Sequence, residues 1–141
     1  MTTPLTALVF PDVEAMVIHQ ILDVLGYQAA TMRPGGHDFD EALPFVWVAR
    51  IGGGRTGESF GGQRHFDDAR ISLDVYAASR VEATDVMARV RAAIEQMQGT
   101  TWDGGTVLRT WEEIGPTIRL DEPNTEVTRI GYTAGLRVQP A

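Results

Sequence analysis

The stretch RISLDVYAASRVEATDVMARVRAAIEQMQG, residues 70–99, decides the fold. Over its first eight residues Ile71, Leu73, Val75 and Ala77 alternate with Arg70, Ser72, Asp74 and Tyr76, the period of two expected of a half-buried strand. Ser79 then stands three residues ahead of Glu82. In that S-x-x-E spacing a hydroxyl and a carboxylate each satisfy a backbone N–H left free at a helix start. Beyond it Ala83, Val86, Met87, Val90, Ile94 and Met97 recur on one helical face, while Arg80, Glu82, Asp85, Arg89 and Glu95 fall mostly outside it. Gly99 is placed to end the helix in a left-handed conformation. No polar residue interrupts the apolar stripe, so this strand-to-helix unit builds core and carries no chemistry.

Upstream, Asp12 precedes a second apolar stripe, Val13, Met16, Val17, Ile21, Val24 and Leu25, closed by Gly26. Asp12 suits the N-cap, and Glu14 sits in the first turn, where a carboxylate favours the positive end of the helix dipole. Residues 27–33 predict a strand that Pro34, Gly35 and Gly36 break before HDFDEA. LPFVWVARI, residues 43–51, is nearly continuous in apolar, β-branched and aromatic residues, which predicts a central strand covered on both faces. Between it and residue 70 lies GGGRTGESFGGQRHFDD, residues 52–68, whose six glycines predict an extended loop forming the projecting tip of a hairpin.

Downstream, residues 101–105 give a turn, 106–112 a strand and 117–120 a short strand after Pro116; DEPNTE is a turn. Residues 126–138 form a long final strand with Ile130, Tyr132, Ala134, Leu136 and Val138 on one face and Arg129, Gly131, Thr133, Gly135 and Arg137 on the other. The expected order is α-β-β-β-α-β-β-β, an α+β fold with two helices packed on one face of a mainly antiparallel sheet. At 141 residues the chain is expected to be one domain, 1–141.

The chain has no cysteine, which excludes disulfides, thiolate catalysis and cysteine zinc sites. Its formal charge is −7, and all twelve basic residues are arginine. An acidic surface argues against gripping nucleic acid through phosphates. The start lacks the pattern of a signal peptide, and no stretch approaches the roughly 18 apolar residues of a membrane span. A soluble, unprocessed protein is expected.

Three segments carry residue types that could support chemistry. The glycine-rich segment has no G-x-x-x-x-G-K, and no helix begins at its end, which argues against a phosphate loop. Gly57 to Gly61 matches G-x-S-x-G around Ser59, but the strand-turn-helix setting that activates such a serine is missing. His37-Asp38-Phe39-Asp40 and His65-Phe66-Asp67-Asp68 contain metal-ligand types at spacings that match no established motif. The expectation is therefore no enzyme, no cofactor and no metal. A small-molecule or metal-binding domain built on the His37 and His65 loops is the rival from another class.

Taken together, PDVEAMVIHQIL, the Pro-Gly segment, LPFVWVARIGG running into a polar loop, the unit RISLDVYAASRVEATDVMARVRAAI and the last strand RIGYTAGLRV resemble the tail terminator (minor tail, tail completion) proteins of long-tailed bacteriophages. The resemblance implies a structural virion protein, assembled in the host cytoplasm and sited at the head-proximal end of the tail. It would form a ring, usually hexameric, that caps the tail tube, ends tube polymerisation and presents a surface for head joining. Implied partners are further copies of itself, the tail tube protein and a head-completion or connector protein. DNA would be only passing cargo, and no membrane is involved. Another head-tail connector or neck protein of the same virion is the neighbouring role. Within such an assembly residues 52–68 are expected to form an interface arm. Arg55, Glu58 and Arg64 would supply its charges, and Phe60 or Phe66 an aromatic anchor.

Overall fold

The computed structural model describes residues 8–58 and 64–141. Asp12 caps the first helix, α1 (Val13–Gln20), by accepting the Ala15 N–H at 3.1 Å. The helix widens into a π-helical turn over Ile21–Leu25 and stops at Gly26, whose φ of 73° is the left-handed value that glycine adopts without strain. There follow β1 (Gln28–Ala30), α2 (Gly36–Ala42), β2 (Phe45–Glu58), β3 (Arg64–Ala77), α3 (Arg80–Gln96), β4 (Thr101–Trp102), β5 (Gly105–Ile118) and β6 (Thr128–Pro140). Ser79 Oγ accepts the Glu82 N–H at 3.2 Å and so starts α3 where the S-x-x-E spacing places it.

The strands form one six-stranded sheet in the order β1-β2-β3-β6-β5-β4. The short β1 runs parallel to β2, and every other pairing is antiparallel. The fold is α+β on a mixed sheet. One face of the sheet carries the main core. Ile71, Leu73, Val75 and Ala77 of β3, all fully buried, join Val46 and Val48 of β2 and Ile130, Ala134 and Leu136 of β6 in one cluster. Val13, Val17 and Ile21 reach that cluster from the first helical segment, and Ala83, Val86, Val90 and Ile94 from α3.

Several elements differ from the sequence expectation. HDFDEA is helical: with Asp38 in its first turn it forms α2, so there are three helices among the described residues. Phe39 of α2 packs edge-on against Tyr76, ring centroids 5.3 Å apart, and against Phe45 at 6.5 Å. Tyr76 and Phe45 are the outward neighbours of Val75 and Val46, so α2 covers the sheet face that α1 and α3 leave free. That is why β3 is buried on both faces rather than one.

β2, expected to be central, is instead next to the sheet's edge, because β1 pairs only with its first three residues. Its apolar run is explained by helices on both faces rather than by strands on both sides. The glycine-rich segment is mostly not a loop: β2 runs on to Glu58 and β3 begins at Arg64, because each residue added to the ladder gains cross-strand partners that offset glycine's low strand preference. Likewise the two short strands expected at 106–112 and 117–120 are one strand, β5. Register shifts between Val107 and Arg109, between Glu112 and Ile114 and between Ile114 and Thr117 let it bend past Pro116 without ending.

Candidate subunit interface

The β2–β3 hairpin reaches beyond the body of the sheet. β6 accompanies β3 only as far as the Asp67–Val138 pair, so 56–58 and 64–66 extend past the third strand. The arm is anchored by two arginine–carboxylate forks, one on each face. On the helix face Arg50 donates to both oxygens of Asp67 at 2.7 Å, and this bond, chiefly, raises the pKa of the guanidinium. Asp67 is buried, and the Arg50 N–H is taken by Glu14 Oε2 of α1 at 2.7 Å, which ties the arm's root to the first helix. On the other face Arg137 of β6 donates to Asp68 at 2.8 and 2.9 Å, and Thr56 adds a third bond at 3.1 Å. The Arg137 fork, mainly, holds the Asp68 carboxyl below its ordinary range.

Two glycines of the arm have backbone reasons. Gly53, at φ 87° just past the bulge in β2, leaves room for the Asp68 carbonyl, which a Cβ would strike. Gly57, at φ 73°, lies under the Phe66 ring, where a Cβ would meet the aromatic carbons.

The residues expected to form an interface are therefore placed as follows. Arg55 is exposed but lies over the Phe10 ring of its own chain, 4.5 Å from the centroid. Phe66 is half-buried between Gly57 and Arg137, whose guanidinium sits 4.9 Å from its centroid. Glu58 ends β2, and Arg64 begins β3 as an exposed residue. Phe60 lies outside the described residues, as does Ser59. The two histidine segments do not come together. His37 sits in α2, just before β2 starts, whereas His65 belongs to the arm at its other end. A fourteen-residue strand of roughly 45 Å separates them. Among the described residues no group of three or more His, Cys, Asp and Glu is placed to hold a metal.

Sequence reasoning missed a second polar assembly, on the face that α2 partly covers. Arg129 donates to Asp74 at 2.6 Å and to Glu122 at 3.3 Å. Burial works against its charge, but the two carboxylates outweigh that and raise its pKa. Arg33 donates to the Tyr76 hydroxyl at 3.1 Å and lies over the rings of Phe39, Trp47 and Tyr76. Burial pushes the Tyr76 phenol up. The available signal was the alternation in β3 and β6, which puts Asp74 and Arg129, of opposite charge, on the same outward face.

The order of strands, the three helices and the projecting hairpin can be compared with known structures. Over 89% of its length this chain superposes on 93% of a chain in the virion of a native gene transfer agent particle, with a TM-score of 0.57 and 19% sequence identity. The fold is shared with a virion chain. At that identity the likeness concerns the fold alone, and no family model and no curated protein matches the sequence. No helix among the described residues is long and apolar enough to cross a membrane.

Proposed function

We propose that this chain is a structural virion protein that forms a ring capping a phage tail tube, ending tube growth and offering the head-joining surface. The observation that carries the proposal is the fold it shares with a chain of a gene transfer agent virion, matched along nearly the whole length of both chains. The sequence resemblance to tail terminators points the same way, and the projecting arm supplies a contact that a compact monomer does not need. Its partners are further copies of itself, in a hexamer on the terminator plan, together with tail tube protein and a head-completion protein. In this role it carries out no reaction and holds no cofactor. The acidic chain, at −7 per copy, would line a lumen along which DNA slides rather than sticks.

The same likeness also supports a head-tail connector or neck protein of the same virion, since it refers to a whole particle. A direct test separates the two. Light scattering gives the mass of the purified protein, and negative-stain microscopy with isolated tail tubes shows where it sits. A ring at the head-proximal tube end is the expected result, and binding to connectors but not to tubes would select the neck role. Replacing 53–62 by a tight turn removes the outer part of the hairpin, so it should lower the strand signal in circular dichroism while keeping a cooperative unfolding transition. It should also abolish ring formation and complementation of terminator-defective phage. A shortened protein that assembles and complements fully would remove the arm from the interface.

A further inference from the structure

On both long outer strands the chain's own side chains accept backbone N–H groups up to one point. Beyond it, among the described residues, side chains reach only the Gly52 carbonyl, from Arg50 Nε, and the Gly115 carbonyl, from Thr117 Oγ1. On β2 the last of these acceptors is Glu14, which takes the Arg50 N–H; on β5 it is Gln98, whose amide oxygen accepts the Thr110 N–H at 3.0 Å. Among the described residues no strand flanks β2 after Trp47 or β5 after Thr106, because β1 and β4 are three and two residues long. This leaves two open edges of similar length, 51–58 and 111–118. Proteins that must stay monomeric blunt such edges, since rows of unpaired N–H and C=O groups recruit another strand. Here the β5 edge bears Pro116, two glutamates and register shifts and the β2 edge a bulge at its start, yet each still carries an exposed isoleucine, Ile51 at 52% and Ile114 at 53%.

We propose that the open edge of β2 in one copy pairs with the open edge of β5 in the next, so that a continuous sheet closes the ring. This rests on the ring assembly proposed above and names its contact. The two edges differ, so the contact is head-to-tail, the kind that generates rings rather than dimers. Through β3 and β6, β2 and β5 run antiparallel to each other within one sheet. Rotation about an axis lying along the sheet preserves that relation, so the neighbouring edges meet antiparallel.

The stagger between the edges also fits. Thr56 pairs with Phe66, whereas Ile114 pairs with Thr133 and through it with Ser72, so the open stretches lie about four to six residues apart along β3, roughly 13–20 Å. Each copy contributes four strands, about 19 Å of sheet. Joining the edges therefore needs strands tilted by about 35–45° to the ring axis, the tilt of closed barrels. The carboxylates of the β5 edge are already partnered within the chain, Glu112 by the Arg91 fork at 2.7 and 2.9 Å and Glu113 by the Trp111 Nε1–H, so the contact rests on the backbone and on apolar surface. Beside that edge a groove of about 230 Å³, lined by Arg80, Thr84, Met87, Pro116 and Ile118, offers apolar surface to the arriving arm.

The native chain has no cysteine, so crosslinking is free of background. Thr56→Cys and Ile114→Cys, singly and together, are treated with a short bis-maleimide that spans one register step, and mass is followed in parallel by light scattering. Within one chain the two positions are about three strand spacings apart, roughly 14 Å, plus the stagger, beyond the linker's reach. The expected result is a ladder of covalent oligomers from the double variant and monomer from either single one. Dimers from a single variant would show an edge pairing with itself and overturn the proposal. A ring by mass that gives no crosslink in the double variant would overturn the edge contact and leave the ring standing. A protein that stays monomeric at every concentration, with and without tail tubes, would sink both.

Discussion

Gly135→Ala should destabilise the protein through one specific clash. Gly135 is a buried outward-facing residue of β6, and the indole of Trp111 lies flat across it from β5. A Cβ there would overlap three atoms of the ring, Cε2, Nε1 and Cζ2. Moving the ring disturbs the bond from Trp111 Nε1 to Glu113 Oε1, 2.7 Å long and exposed. Overpacking of this kind costs about 1–3 kcal/mol, and loss of an exposed hydrogen bond adds about 0.5–1 kcal/mol. Alanine in place of a strand glycine returns about 0.5–1 kcal/mol through the unfolded chain. The last two terms cancel, and the net expectation is a loss of about 1–3 kcal/mol, read from urea unfolding followed by far-ultraviolet circular dichroism.

The sharper measurement is the double-mutant cycle. In a Trp111→Ala background the clash is gone, so Gly135→Ala should become neutral or stabilising, a reversal of sign that lost contacts elsewhere could not produce. If Gly135→Ala costs the same with and without the indole, or costs nothing in the native background, Trp111 does not pack across Gly135.

Leu73→Ala and Val75→Ala remove fully buried side chains between the sheet and the helices and should each cost about 2–4 kcal/mol; unchanged denaturant midpoints would refute the facing of β3. Ser79→Ala removes the acceptor for the Glu82 N–H and should cost about 1 kcal/mol, visible as a lower melting temperature with the ring mass unaltered. Tyr132 is buried, and burial first, with the nearby Glu112 carboxylate second, pushes its phenol up to about 12 from 10.0. The folded state thus holds this proton more tightly than the unfolded chain does. Its contribution to stability is intact below pH 10 and is lost as pH rises from 10 to about 12, so unfolding and phenolate absorbance should rise together there. Phenolate formation at about pH 10 in the still-folded protein would contradict it.

Some of this architecture is written in short-range pattern. Residues 70–99 specify strand, cap, helix and stop by local rules alone, because a period of two, an S-x-x-E box and a 3.6-residue stripe each act within a few residues. The same holds for α1 from Asp12 to Gln20 and for the alternation in β6, but not for the π-helical turn over Ile21–Leu25, which takes Val24 off the buried stripe and leaves it exposed. The helix α2 was not legible: HDFDEA has one apolar anchor, Phe39, and its helicity rests on Phe45 and Tyr76, which the chain supplies from two other elements. Glycines 52–54 read as a loop because local propensity disfavours strand there. The ladder to β3 overrides that preference, since Arg50–Asp67 and Thr56–Asp68 bonds exist only once the hairpin is formed.

The interface candidates divide the same way. Sequence composition singled out the arm and its charged and aromatic residues, but it could not say that Arg55 lies over Phe10 or Phe66 beneath Arg137, because those partners are 45 and 71 residues away in the chain. Nor could it reveal the two open edges. Whether a strand's outer N–H row is free depends on how far its neighbour runs, and β1 and β4 are too short to carry a period of their own. Local chemistry determined the elements of this protein; their lengths, their neighbours and the edges left open were decided by pairing between distant segments, an energy that no single stretch of sequence contains.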